Sequence, residues 1–164
     1  MSHVRYIDKT RDYYQGEGYA TPYRWAHFDD VPFTPLARPL AECRVGLVTT
    51  SEMVIRGREP ELAHIENDPT RPTYSLSMET PPTALYSRKA SYDRYATTLD
   101  DVDAYLPLTH LHRLADERRI GGLAPRFQIV HSQYSHRRTL TVDAPRILAE
   151  LHEDRVDVAV LTAV

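Results

Sequence analysis

The chain has 164 residues, 41% hydrophobic and 26% charged, which is enough for one domain to bury a core without disulfide or metal staples. A net charge of -3, with a single short basic knot at His136-Arg137-Arg138, excludes the electrostatic footprint of a nucleic-acid binder. No apolar run approaches the ~20 residues of a membrane helix, the first residues lack the apolar stretch of a secretory signal, and the one cysteine, Cys43, has no internal partner, so no membrane contact and a reducing, cytoplasmic setting are expected.

Residues 1–42 do not read as core. Tyr6, Tyr13, Tyr14, Tyr19, Tyr23, Trp25, Phe28 and Phe33 share the segment with Pro22, Pro32, Pro35 and Pro39. Prolines at that density favour an extended arm, and its aromatics need a surface to cover, on their own domain or on a second subunit. Residues 43–164 are expected to form one α/β domain.

The first strand is Arg44-Val45-Gly46-Leu47-Val48, running into Thr49-Thr50-Ser51; it is short, apolar and β-branched, as a strand buried on both faces should be. Residues 56–82, polar and carrying five prolines, read as a long excursion of the kind that contacts a partner or serves function. A weaker strand follows at Thr83 to Ser87. Thr109 is the expected cap of a helix that buries Leu111, Leu114 and Ala115 and stops at Gly121-Gly122. A strand at Arg126 to His131 comes next. The last helix should be capped by Asp143, admit Pro145 in its first turn and bury Ile147, Leu148 and Leu151. Finally, Val156 to Val164 has the continuous apolar character of a central parallel strand. Strands alternating with helices pair in parallel through right-handed crossovers, so the expected fold is a three-layer α/β sandwich with an open, mainly parallel sheet of about four or five strands.

Ligands of such sheets bind beyond the carboxyl ends of the strands. That rule selects Thr49, Thr50 and Ser51 after the first strand, Lys89, Tyr92 and Asp93 after the second, His131 and Ser132 after the third, and Thr162 on the last. The set suits a small anionic or zwitterionic ligand. The same hydroxyls and carboxylate would also serve merely to end strands and cap turns. Cys43 precedes its strand and so belongs to the opposite end of the sheet, as a structural thiol. No Gly-x-Ser-x-Gly turn joins a strand to a helix, and no His or Cys cluster has ligand spacing, so neither a hydrolase elbow nor a metal site is expected.

Several pieces of the chain, in order, form a recognisable pattern. They are Pro35-Leu36 leading to Arg44-Val45-Gly46-Leu47-Val48-Thr49-Thr50, Ser91-Tyr92-Asp93, Asp101-Val102-Asp103, Leu106 to Ala115, Arg119-Ile120-Gly121-Gly122 to Arg126, and Val156 to Thr162. The pattern resembles the selenoprotein B family of glycine, sarcosine, betaine and D-proline reductases. The resemblance covers most of residues 33–164. It implies cleavage of a carbon-nitrogen bond in an amino-acid-like substrate by a selenocysteine or cysteine nucleophile, charged near neutral pH and strongly nucleophilic. It also implies partner subunits, one of which can carry a pyruvoyl group that captures the amine. Departures are visible: Asp103 stands where the family usually has Asn, and Lys89 where a His often precedes the Tyr-Asp pair. The first exchanges hydrogen-bond donors for a charge, the second a proton shuttle for a fixed cation. In many relatives the reactive residue directly follows the strand matched by Val158 to Val164, where this chain stops. The expectation is therefore a frame continuing past a UGA read as selenocysteine, or a shortened paralogue relying on a separate chain.

On this reading the chain is a subunit of a reductase, not active alone, that cleaves a carbon-heteroatom bond in a small amino-acid-like or betaine-like substrate. Thr49, Thr50 and Ser51 would hold the substrate carboxylate, and Tyr92, Asp93 and His131 would orient the substrate or move protons. The reactive thiol or selenol, like any pyruvoyl group, would come from a partner or continuation outside residues 1–164, with a thiol or selenol redox donor and a hetero- or homo-oligomeric assembly. The alternative is a non-catalytic interaction subunit that clamps a catalytic partner through the aromatic arm and the 56–82 excursion. A third reading, a small-ligand sensor, uses the same pocket without chemistry.

Overall fold

The structure, a computed structural model, describes residues 6–22, 28–32, 34–88, 98–131, 133 and 135–163. Two compact units divide the chain, Met1–Thr34 and Pro35–Val164. The first contains a helix, α1 (Tyr6–Gly16), where an extended arm was expected. The physical reason is position: every proline of the segment lies at residue 22 or beyond, so none interrupts these eleven residues. Arg11 donates to Asp8 one turn back at 2.8 Å. Gly18, in the left-handed region at φ +88, turns the chain out of the helix, and Tyr14 sits edge-on between Tyr13 and Tyr19.

The second unit is built around β1 (Arg44–Thr49), buried along nearly its whole length. A two-stranded antiparallel sheet follows from β2 (Met53–Ile55), whose partner β4 (Leu85–Ser87) closes the register Met53↔Ser87 to Ile55↔Leu85. Between them lie a short helix, α2 (Ala63–Glu66), and β3 (Tyr74–Ser77). Then come α3 (Leu108–Asp116), β5 (Gly122–Leu123) and β6 (Arg126–Ile129). One turn of α4 (His136–Arg138) runs through a π-helical turn at Thr139–Asp143 into α5 (Ala144–Glu153), and β7 (Val158–Thr162) follows.

The main sheet has five strands and is mixed but mostly parallel. On one side of β1, β5 pairs with its start (Arg44↔Gly122) and β6 with its end (Thr49↔Ile129); β7 pairs along the other side from Val45↔Val158 to Thr49↔Thr162. Antiparallel β3 covers the far side of β6. Alternation along β1 separates two faces. Val45 and Leu47 join Phe127, Ile129, Leu108 and Leu111 in the larger core beneath α3, whereas Val48 packs with Ile147 and Leu151 of α5. Gly46 lies on this second face, where a Cβ would stand 2.9 Å from Leu151 Cδ2. Helices on both faces of an open sheet make the α/β fold expected from the sequence. Among the described residues no helix is long and apolar enough to cross a membrane.

Several expectations about individual elements change. The strand at Leu85–Ser87 lies not in the main sheet but in the small one, and the antiparallel place goes to β3, inside the segment read as an excursion. The terminal strand is not central: among the described residues β7 pairs with β1 alone, and Leu161 is 75% exposed. Thr109 does not cap α3; its backbone N–H donates to the Asp103 carboxylate at 2.8 Å, a negative charge well placed at a helix start. Asp143 likewise sits within continuous helix, paired with Arg138 at 3.3 Å, and Leu148 is exposed on α5.

The approach to β7 is fastened to β1 by Asp157. Its carboxylate accepts from the Arg44 N–H at 2.8 Å and from Arg38 Nη2 at 2.6 Å. The Arg44 amide, and then the nearby guanidiniums, hold its carboxyl below the usual carboxylate range. A depressed folded-state value gives stability that is present above the unfolded value, about 3.9, and lost as the pH falls through the folded one. Asp157→Ala is therefore expected to lower the urea midpoint at neutral pH, with the gap to wild type closing in acid. A gap that stays constant down to about pH 2.5 would show that the ionised carboxylate is not what stabilises this junction.

Candidate functional site

The carboxyl ends of β1 and β6 open on two cavities that share one wall. β1 ends at Thr49, and the chain then makes a tight polar turn: Thr49 Oγ1 and Ser51 Oγ lie 2.7 Å apart, and the Ser51 N–H donates to Thr49 Oγ1 at 3.2 Å. Both residues are fully buried. Their hydroxyls are thus engaged with each other, bracing the turn. Thr50 is part-exposed, its N–H donating to the Thr162 carbonyl at 3.2 Å. The outgoing tip of β7 consequently lies beside the end of β1, even though the strand runs along the sheet edge.

The brace delivers the next residue, Glu52, in the left-handed region at φ 49. That conformation is uncommon for a residue with a Cβ and marks a position fixed by its surroundings. Here the surroundings are the start of the small sheet: Ser87 Oγ donates to the Ser51 carbonyl, and the Arg88 N–H to the Glu52 carbonyl. Glu52 Oε1 comes within 3.6 Å of His131 Nδ1. His131 leaves the end of β6 and is 7% exposed; among the described residues neither ring nitrogen has a hydrogen-bond partner. Its ring lies 5.4 Å from that of Tyr74, whose hydroxyl donates to the Met53 carbonyl at 2.8 Å and ties β3 to the small sheet. Burial first, and the Glu52 charge second, push the Tyr74 phenol above its ordinary range, so it remains a protonated donor at neutral pH.

The smaller cavity, of about 270 Å³, is polar. Glu52, Arg71, Arg88, Tyr74 and His131 line it, over an apolar floor that includes Val54 and Ile65. Arg71 also has a left-handed backbone, at φ 45, and its carbonyl accepts from Gln133 Nε2 at 3.3 Å and Arg138 Nη2 at 3.2 Å. The larger cavity, about 880 Å³, is an apolar cleft on the α5 side of the sheet. Val48, Val130, Leu140, Ile147 and Leu161 line it, with Thr49, Thr50 and Thr162 at its sheet end. His131 borders both cavities.

Of the residues singled out in the sequence, the structure brings together Thr49, Thr50, Ser51, His131 and Thr162. Lys89, Tyr92, Asp93 and Ser132 lie outside the described residues. The sequence pattern does not single out Glu52, Arg71, Tyr74 and Arg88. The strand-end rule, carried one residue beyond Ser51 and Ser87, would have reached Glu52 and Arg88. Arg71 and Tyr74 belong to the excursion and carried no such signal. Cys43 is fully buried at the opposite end of β1, its thiol 3.4 Å from the Pro39 carbonyl, and does not fit the role of a reactive nucleophile at these cavities. Among the described residues no group of three or more His, Cys, Asp or Glu side chains could hold a metal ion.

A family model described as glycine/sarcosine/betaine reductase selenoprotein B matches residues 2–164. No curated protein and no solved structure matches the chain.

Proposed function

Because the chain belongs to the glycine/sarcosine/betaine reductase selenoprotein B family, we propose that this reductase subunit takes part in cleaving the carbon-nitrogen bond of a small amino-acid-like or betaine-like substrate. The observation that carries the reading is His131: a buried imidazole, facing Glu52 beyond the carboxyl ends of parallel strands, with no hydrogen-bond partner for either ring nitrogen among the described residues. A reactive thiolate or selenolate supplies the nucleophile in this chemistry. Cys43 does not, so that group, with any pyruvoyl group, comes from outside residues 1–164. The work of this chain is then to bind and orient the substrate and to hold or move a proton at its nitrogen. His131 does so beside the Glu52 carboxylate, and Tyr92 and Asp93 are proposed for the same work.

The direct test is to purify the native protein with whatever binds it and follow release of ammonia, methylamine or trimethylamine from glycine, sarcosine or betaine under a dithiol donor. Release that requires both this chain and a stoichiometric redox-active partner is the expected result. A stable partner with no release from any of the three would favour the second reading, an interaction subunit. The specific observation behind that alternative is the apolar cleft, with Leu140, Leu148 and Leu161 each more than half exposed.

A further inference from the structure

We infer that the open edge of β7 pairs with the same edge of a second copy of this chain, antiparallel and about a two-fold axis, joining two main sheets into one. Such pairing concerns assembly and holds whether or not the chain serves a reductase. β7 is bonded on one side only: among the described residues its single neighbour in the sheet is β1. An open edge offers unpaired N–H and C=O groups, and proteins blunt such edges with lysine, proline, bulges or very short strands. β3, at the far end of the sheet, is four residues long and closely follows Pro72. β7 carries no such device: Val158–Thr162 has no charge and no proline, and its register along β1 is unbroken.

Register decides which backbone groups face outward. The Thr50 N–H donates to the Thr162 carbonyl, and Thr49 stands opposite Thr162. Alternation therefore points the peptide groups of Val160 and Thr162 at β1 and those of Ala159 and Leu161 away from it. A two-fold axis at Val160 sets Ala159 against the partner's Leu161, and Leu161 against the partner's Ala159. Those are the pairs in which an antiparallel ladder exchanges both of its bonds. The side chains suit the same register. Ala159 packs with Val48, Ile147 and Leu151 on the α5 face, and Leu161 lines the apolar cleft on that face while 75% exposed. Each small residue thus meets a large one, and each Leu161 gains apolar neighbours at the mouth of the other cleft, where Leu148 is also exposed. Charge does not oppose the pairing. Asp157, already bonded by Arg38, falls opposite Ala163, so no like charges face each other along the ladder. An unrelated strand could use the same backbone groups; the match of Ala159 to Leu161 across the axis is what favours a second copy.

Sedimentation velocity and light scattering on the full chain test the pairing. The wild type should be dimeric at about 50 μM, within reach of a modest interface. Leu161→Lys places an edge-blocking lysine at an exposed position, so it should weaken the dimer at least about tenfold and leave the urea midpoint unchanged. Phe28→Ser, which removes an exposed aromatic of the first unit, should leave the dimer intact. Cysteines read the register. An antiparallel two-fold at Val160 brings its two Cα atoms to about 4.5 Å, so Val160→Cys should link the copies on mild oxidation. Leu161→Cys should not, because its two Cα atoms then stand beyond the ~7 Å that a disulfide spans. Cys43 is fully buried and offers no competing thiol. A monomer at that concentration, including one that pairs only with a different protein, overturns the inference. So does a dimer that survives Leu161→Lys or that Phe28→Ser dissolves, and so does linkage at position 161 in preference to 160.

Discussion

Replacing His131 with Gln is expected to lower kcat of the assembled reductase by about 100- to 10,000-fold, the range that positioned acid-base groups contribute. KM should move much less. Three features give His131 this weight: burial, the Glu52 carboxylate at 3.6 Å, and ring nitrogens with no hydrogen-bond partner among the described residues. Gln fills similar space and keeps a donor and an acceptor but cannot carry a proton between them. A purely structural His131 would give a different pattern: a lowered urea midpoint, kcat within about threefold of wild type, or losses that appear in KM alone. Measuring kcat, KM and the urea midpoint on the same preparation separates these cases.

The second large effect concerns Gly121, read in the sequence as part of a helix stop. In the structure a Cβ there would stand 2.4 Å from the Glu42 carbonyl carbon and 2.8 Å from the Cys43 nitrogen. Those atoms are backbone, held by the bond from the Gly121 N–H to the Cys43 carbonyl at 2.9 Å, so they cannot swing aside. Gly121→Ala is expected to cost about 3 kcal/mol, the upper end of what overpacking a fixed site costs. Gly46→Ala makes the natural comparison. Its nearest contacts, at 2.9 to 3.2 Å, are the ends of the Leu151 and Val156 side chains, which can rotate. It should cost clearly less. Equal losses for the two variants by urea denaturation would show that close backbone approach is not what Gly121 provides.

Much of the second unit was legible because its elements announce themselves locally. Val45 to Val48 is apolar enough to be a strand in almost any context, and Leu111 with Leu114 marks the buried side of α3. What local pattern does not carry is partnership. Leu85–Ser87 was recognised as a strand, but nothing in three residues says whether they pair with β1 or with Met53–Ile55. β3 was missed for the opposite reason: four residues amid prolines, with Ser75, Leu76 and Ser77 part-exposed or exposed, give little sign beyond Tyr74. In Val158–Thr162 the apolar run reads as a central strand. The same composition also fits an edge strand whose outer face borders an apolar cleft.

The site divides along the same line. Thr49, Thr50, Ser51 and His131 were found because a topological rule points to strand ends. Even so, the rule could not say that Thr49 and Ser51 would bond each other, leaving Glu52 as the group that faces His131. Arg71, Tyr74 and Arg88 reach the cavity only through tertiary convergence of loops. Their spacing in the sequence is unrelated to their proximity in space. The family pattern, in contrast, lay in the order of short pieces, and the match over residues 2–164 agrees with it.

The central place of β1 has a consequence for how the molecule comes into being. Arg44–Thr49 is made early, yet its neighbours on one side are Gly122–Leu123 and Gln128–Ile129, and on the other Val158–Thr162. Until the ribosome has passed the first group one flank of the strand is bare, and until it has passed the second the other is. Pairings this distant in sequence make for slow assembly and leave sticky intermediates exposed meanwhile. The hexapeptide that organises the finished fold is therefore the segment most in need of protection while the nascent chain lengthens.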